Sequence, residues 1–315
     1  MIAFLKLIRV QNLLIIAFTQ YMIRWCLILP IFRIRGFELQ LSSLHFFLIV
    51  LSTVMIAAAG YIINDYFDVR IDKVNKPERM VIDKGVKRRV AMGAHTVINI
   101  LAIGISLFVA WRIGSWKLSI IHFICASGLW FYSTTFKRQF LIGNIIIAVF
   151  TALVPLVTGL YELLPCYKFY AGASFKDVWV YIFAVSFFAF ITTLLREIIK
   201  DIEDHEGDKA FGCKTMPIVI GIRSAKNVAI LISVATMICL AYMQMIFWKG
   251  DNQPAFWYFV IALQLPFVFL IWKTHTALSK KDLRIAGNTA KMIMFFGVCY
   301  LFLFAHFILT SIHVN

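Results

Sequence analysis

The chain is 315 residues long, 61% of them hydrophobic and only 15% charged, with a mean hydropathy of +0.84. A soluble domain is about half apolar and about a quarter charged, so this composition excludes a water-soluble globule and places the polypeptide in a bilayer. The formal charge of +15 then reads as a topology signal with some attraction to anionic lipid, and not as a nucleic-acid footprint.

The opening MIAFLKLIRVQNLLIIAF has a basic start and an apolar continuation. It lacks an A-x-A cleavage pattern, so it is expected to begin a retained helix. A span needs about 20 apolar residues. Runs of that length fall near 11–32, 42–63, 90–112, 116–135, 140–161, 177–197, 226–247, 254–273 and 289–311. They are too long for barrel strands and do not alternate. The expectation is an all-α integral membrane protein, a bundle of nine transmembrane helices forming one domain over 1–315. Six scattered cysteines form no CxxC or Cys/His cluster and read as small core residues.

Lys and Arg are distributed unevenly between alternate loops. The side holding the N-terminus collects 23 of the 31, and the opposite side 7, with Arg24 inside the first span. The positive-inside rule puts the N-terminus and the loops 64–89 and 198–225 in the cytoplasm of a cell inner or plasma membrane.

Those two loops also hold most of the acid. IINDYFDVRIDKVNKPER carries Asp65, Asp68 and Asp72, and LLREIIKDIEDHEGDK carries Asp201, Asp204 and Asp208, both with the spacing D-x2-D-x3-D. On a helix, positions i, i+3 and i+7 share a face, so each triplet makes a carboxylate stripe whose like charges repel. A charge run in a loop is usually a solvated face, but two triplets of one spacing on one membrane side call for a cation between them. The oxygen-only set, with Asn64 adding an amide oxygen, suits Mg²⁺, which takes one or two carboxylates and completes its shell with water and substrate phosphate. The pair reads as a clamp on a Mg²⁺-bridged diphosphate. Lys137, Arg138, Arg196, Lys200 and Arg79 flank the stripes and are candidate partners for phosphate oxygens.

Taken together, NDYFDVRIDKVNKPER and REIIKDIEDHEGDKAFGCKTMP resemble the two signatures of the UbiA superfamily of intramembrane prenyltransferases, whose members are nine-helix membrane proteins. The resemblance implies Mg²⁺-dependent transfer of a polyprenyl group from its diphosphate to an acceptor. It assigns Asn64, Asp65, Asp68 and Asp72 to one metal ion, Asp201, Asp204 and Asp208 to a second, and Lys137 and Arg138 to the diphosphate. Tyr132 is similar to the family's tyrosine ahead of that basic pair, with one residue more between them. Arg9 and Asn12 in RVQN resemble a first-helix pattern near the substrate pocket. The stretch around the second motif is similar to digeranylgeranylglyceryl phosphate synthases, which implies a lipid acceptor such as geranylgeranylglyceryl phosphate. Met80 after Arg79 departs from the frequent R-P pair there.

The reaction implied needs no covalent enzyme intermediate, no nucleic acid and no obligatory protein partner, only a polyprenyl diphosphate, an acceptor and the surrounding membrane lipids. Prenylation of an aromatic acceptor in quinone biosynthesis is the alternative. A cation-coupled transporter is the rival from another class, but its charges belong near mid-span, whereas these stripes lie at span ends.

Overall fold

The computed structural model describes residues 2–250 and 252–310, except for the side chain of Arg79. Among the described residues there is no β-strand, only an isolated bridge between Ile82 and Val86. An apolar run in hydrocarbon must satisfy its own backbone hydrogen bonds, and helix is how a single chain does so. The long helices are α1 (Val10–Ile34), α2 (Ser43–Asn75), α3 (Arg88–Arg112), α4 (Ser119–Thr134), α5 (Ile142–Phe169), α6 (Lys176–Glu203), α7 (Ile222–Lys249), α8 (Gln253–Thr276) and α9 (Lys280–Thr310). All but α4 are long and apolar enough to cross a membrane. α4 has 16 residues and is extended at its start by a 3₁₀ turn, Trp116–Leu118.

Two helices change pitch just ahead of a proline, whereas Pro155 and Pro165 lie inside α5 without a change of pitch. π-type turns occupy Ile23–Ile28 of α1 and Phe259–Gln264 of α8, each just ahead of a proline, Pro30 and Pro266. A proline ring clashes with the carbonyl four residues earlier, and a widened turn relieves the clash.

Contacts between loops establish that the helices run alternately up and down. At one end, Lys76 meets Asp204 (2.6 Å), Lys280 meets Glu206 (2.5 Å), and the amide of Lys214 donates to the carbonyl of Arg138 (2.8 Å). At the other end, Arg35 pairs with Asp177 (2.7 Å), and the Lys168 ammonium donates to the carbonyl of Gly114 (2.8 Å). Both acidic motifs therefore lie at the same end of the bundle. This is a membrane-embedded all-helical protein.

Several helices overrun the expected spans, α5 to Phe169 and α9 from Lys280 among them, and two of the overruns bear on the acidic motifs. α2 runs on to Asn75 and α6 to Glu203, so the polar segments begin later than 64 and 198. Ile71, Ile198, Ile199 and Ile202 are buried, and this apolar face carries each helix beyond the hydropathic run.

Candidate functional site

The first triplet behaves as its spacing requires. Asp65, Asp68 and Asp72 lie on the uninterrupted helix α2 and share one face. The second does not remain on a single helix. α6 ends at Glu203, Asp204 caps it, and Asp208 rides on a separate short helix, His205–Ala210. Gly207 lies in that helix, where Asn75 packs so closely that a Cβ would fall 2.4 Å from its Nδ2.

The break lets the second motif fold back against the end of α2. The side-chain amide of Asn75 donates to the carbonyl of Asp204 (3.0 Å), and its oxygen accepts from the amide of Gly207 (2.9 Å). Next to it, the Lys76 ammonium reaches both carboxylate oxygens of Asp204, at 2.6 and 2.8 Å.

Lys137 sits between the two motifs. A 3₁₀ turn, Phe136–Arg138, presents it, and the turn lies so near the start of α5 that a Cβ on Gly143 would be 2.9 Å from the Lys137 Cα. The Lys137 ammonium contacts the Asp68 carboxylate and donates to the Asn64 amide oxygen at 3.2 Å. Burial works against its charge, but Asp68, then Tyr132 and Asp72, outweigh that and hold its pKa well above the ordinary lysine value.

Asp208 is pushed up to about 6, first by burial, then by repulsion from Asp204 and from Asp68 of the opposite motif, with Lys137 and Lys200 opposing. Carboxylates from the two motifs thus feel each other across Lys137. Among the described residues the carboxylates of Asp72 and Asp208 have no hydrogen-bond or ion-pair partner, whereas that of Asp65 is held by Arg9 (2.7 Å), Asp201 by the Asn144 amide (2.8 Å), and Asp68 and Asp204 by lysines.

Beneath the carboxylates opens a cavity of about 730 Å³. Its polar mouth is formed by Arg9, Asn12, Tyr61, Asn64, Tyr132, Arg196, Glu197, Lys200 and Lys291, and its walls by Leu129, Phe150, Val154, Phe188, Met294 and Phe304. Arg9 reaches the mouth through a left-handed backbone (φ 53°) at the break between the helix Ile2–Leu7 and α1. That conformation is costly for a residue with a Cβ and is retained where the surroundings fix it. Its guanidinium also lies 4.8 Å above the Tyr61 ring. Arg196 and Lys200 both turn to Glu197, at 2.5 and 3.6 Å.

Of the residues singled out from sequence, Arg9, Asn12, Asn64, Tyr132, Arg196 and Lys200 line the cavity. The six aspartates and Lys137 gather at its head, and Arg138 is exposed beside them. The side chain of Arg79 lies outside the described residues. Sequence reasoning overlooked Asn75, Asn144, Glu197 and Lys291 as site residues. The signal for Asn144 was an isolated polar side chain inside an apolar run, and for Lys291 a charge just inside the start of one.

Among the described residues no three carboxylate, histidine or cysteine side chains converge into a group that could hold a metal ion unaided. The donor set nevertheless fits Mg²⁺. It is all oxygen, it includes a buried carboxylate without a partner, Asp208, and Mg²⁺ draws only one or two carboxylates from a protein and takes the rest from water and phosphate.

Comparison with known proteins identifies the family and the fold. Residues 36–296 match the model of the UbiA prenyltransferase family, and the chain belongs to that family. It is 33% identical to the digeranylgeranylglyceryl phosphate synthase of Thermococcus sibiricus over 68% of this chain and 71% of the relative. It is likewise 33% identical to the synthase of Saccharolobus solfataricus, over 58% of this chain and 60% of that protein. A solved structure described as digeranylgeranylglyceryl phosphate synthase in membranes superposes with a TM-score of 0.61 at 25% identity, covering 96% of this chain and 97% of that one. A UbiA homolog from Archaeoglobus fulgidus bound to DMAPP and Mg²⁺ shares the fold, with a TM-score of 0.57 at 17% identity over 95% and 98% of the two chains.

Proposed function

We propose that this prenyltransferase moves a polyprenyl group, geranylgeranyl by its relatives' names, from its diphosphate to the hydroxyl of a glycerol phosphate ether lipid such as geranylgeranylglyceryl phosphate. The observation that carries the reading is the meeting of the two aspartate motifs around Lys137 at the head of a long apolar cavity. A diphosphate head would sit among the carboxylates and lysines, and its hydrocarbon tail would run between the cavity walls.

In this reading Asn64, Asp65, Asp68 and Asp72 would hold one Mg²⁺ and Asp201, Asp204 and Asp208 a second, with one or two carboxylates of each motif as direct ligands. When bound there, Mg²⁺ neutralises the diphosphate and makes it a better leaving group. Lys137, Arg138 and Lys200 add fixed positive charge where negative charge grows as the allylic C1–O bond breaks. The bond's electron pair leaves with the diphosphate. The acceptor hydroxyl oxygen forms the new C–O bond, and its proton departs with the released diphosphate. The apolar walls keep water from the allylic carbon, and the Tyr132 ring at the cavity mouth can face the developing positive charge. The uneven Lys and Arg distribution supports a cytoplasmic position for this end of the single domain.

Purified protein in lipid nanodiscs, given labelled geranylgeranyl diphosphate and Mg²⁺, is expected to prenylate a geranylgeranylglyceryl phosphate in preference to 4-hydroxybenzoate or a naphthoate. A prenylated aromatic as the main product would move the chain to the quinone branch.

A further inference from the structure

Four cations and one carboxylate line the cavity: Arg9, Arg196, Lys200, Lys291 and Glu197. Three of the cations are already matched. Arg9 pairs with Asp65, and Arg196 and Lys200 share Glu197. Lys291 has no carboxylate partner among the described residues; its ammonium donates to the Asn12 side-chain oxygen (2.5 Å), which leaves two of its three N–H groups for something else.

Lys291 follows the start of α9 at Lys280 by eleven residues, about 16 Å along the helix. A lysine at that depth commonly snorkels outward to the headgroups. This one turns inward instead, to a side chain of α1. It is half-buried on the cavity lining, where an ammonium without a counter-charge is a ready partner for an anion. Asn12 in turn donates to the Tyr61 hydroxyl (3.3 Å), over whose ring Arg9 lies. Lys291, Asn12 and Arg9 are thus tied together on the side of the mouth formed by α1 and α9, while Lys137 and the two aspartate motifs occupy its head.

We propose that Lys291, seated by Asn12 and flanked by Arg9 and Arg196, binds the phosphate of the acceptor and so selects a phosphomonoester lipid. The proposal rests on the lipid-acceptor reading above. A phosphomonoester brings three acceptor oxygens and a charge of about −1.5 to −2 at neutral pH, which suits donors supplied by α6, by α9 and by the break ahead of α1. A neutral alcohol leaves the Lys291 charge unmatched. Separate seats also hold two mutually repelling anions, the diphosphate and the acceptor phosphate, with only the hydroxyl brought to the allylic carbon.

The test measures transfer to an alkylglyceryl phosphate and to the same lipid without phosphate, together with Mg²⁺-free binding of both labelled lipids to the purified protein. Lys291→Gln should raise KM for the phosphorylated acceptor about tenfold or more, erase a similar factor of preference over the dephosphorylated lipid, and leave KM for the diphosphate donor unchanged. Lys291→Arg should keep most of that preference. Asn12→Asp supplies Lys291 with an internal carboxylate and should weaken binding of the phosphorylated lipid in a protein that remains folded. The proposal fails if wild-type protein prefers the phosphorylated lipid and both Lys291→Gln and Asn12→Asp retain that preference, or if only the donor KM moves. Wild-type protein that uses neither glycerol lipid and prenylates 4-hydroxybenzoate overturns the underlying function, and this inference with it.

Discussion

Asn75, the last residue of α2, is latched to Gly207 in the short helix after α6: its amide spans the turn between the Asp204 carbonyl and the Gly207 N–H. This is the joint that sets the distance between the two aspartate motifs. A methyl at Gly207 would lie 2.4 Å from Asn75 Nδ2, so Gly207→Ala must either expel the Asn75 amide from the joint or push the two segments apart. A misplacement of about 1 Å in a catalytic constellation can cost about a hundredfold in rate. Gly207→Ala is expected to lower kcat by one to two orders of magnitude, with the helical content of the membrane domain unaltered by circular dichroism. Asn75→Ala, which loses both hydrogen bonds without adding bulk, should be milder. Wild-type turnover by Gly207→Ala would show that this joint does not govern the site.

Lys137 and Asp68 form a pair whose members have unequal jobs. Asp68 is buried, so Lys137→Met strands a carboxylate and should destabilise the protein by on the order of 3 kcal/mol, as removal of one partner of a buried pair does. The double variant Asp68→Asn with Lys137→Met removes the stranded charge and should regain much of that stability in a detergent melting assay. Activity should not return, since a fixed charge at the leaving group is worth about a hundred- to a thousandfold. Activity returning along with stability in the double variant would assign Lys137 a structural role only.

How far the sequence could be read differs between helices and site. The spans were legible because hydropathy is local: each window carries its own signal, and α2 and α6 overran the expected ends where their inner faces stay apolar beyond the polar residues. The first aspartate stripe was legible because α2 is regular through Asp72. The second was not, since nothing in EDHEGDK alone says that the helix stops at Glu203. The stop becomes intelligible through Asn75, 129 and 132 residues away from the groups it binds. Lys291 and Asn12 are 279 residues apart, and such pairings follow from helix packing that no local window contains.

Arg24 illustrates the same limit inside the membrane. It stood alone as a mid-span charge in the sequence, yet its Nε lies 3.2 Å from a Glu162 carboxylate oxygen, with both side chains nearly inaccessible at 4% and 0%. The guanidinium also donates to the Leu41 carbonyl (2.5 Å) and stands 4.4 Å above the Phe46 ring. Glu162→Gln should cost about 3–5 kcal/mol by leaving the arginine uncompensated. Arg24→Met with Glu162→Leu should recover stability, because apolar replacements of a buried pair are often neutral or better. The protein that survives should turn over normally, since the pair lies outside the polar mouth. Melting temperature and specific activity, measured on the three variants, separate a structural pair from a functional one.

Asp208 tests the metal assignment most directly, because its two properties pull in opposite directions. It is buried, unpaired among the described residues and raised to about 6 by burial and by Asp204 and Asp68. Without a cation its carboxylate is a repulsive member of the fold. Asp208→Asn removes that charge and should leave the metal-free protein as stable as wild type or slightly more so. Wild-type protein should gain melting temperature on Mg²⁺ addition together with a diphosphate, in proportion to the logarithm of ligand over Kd. In the variant most of that gain should vanish and transfer should drop at least about a hundredfold, because the same carboxylate that costs stability alone is the one a cation needs. A variant that is destabilised without Mg²⁺ yet gains as much as wild type on its addition would mean that Asp208 serves the helix and not the ion.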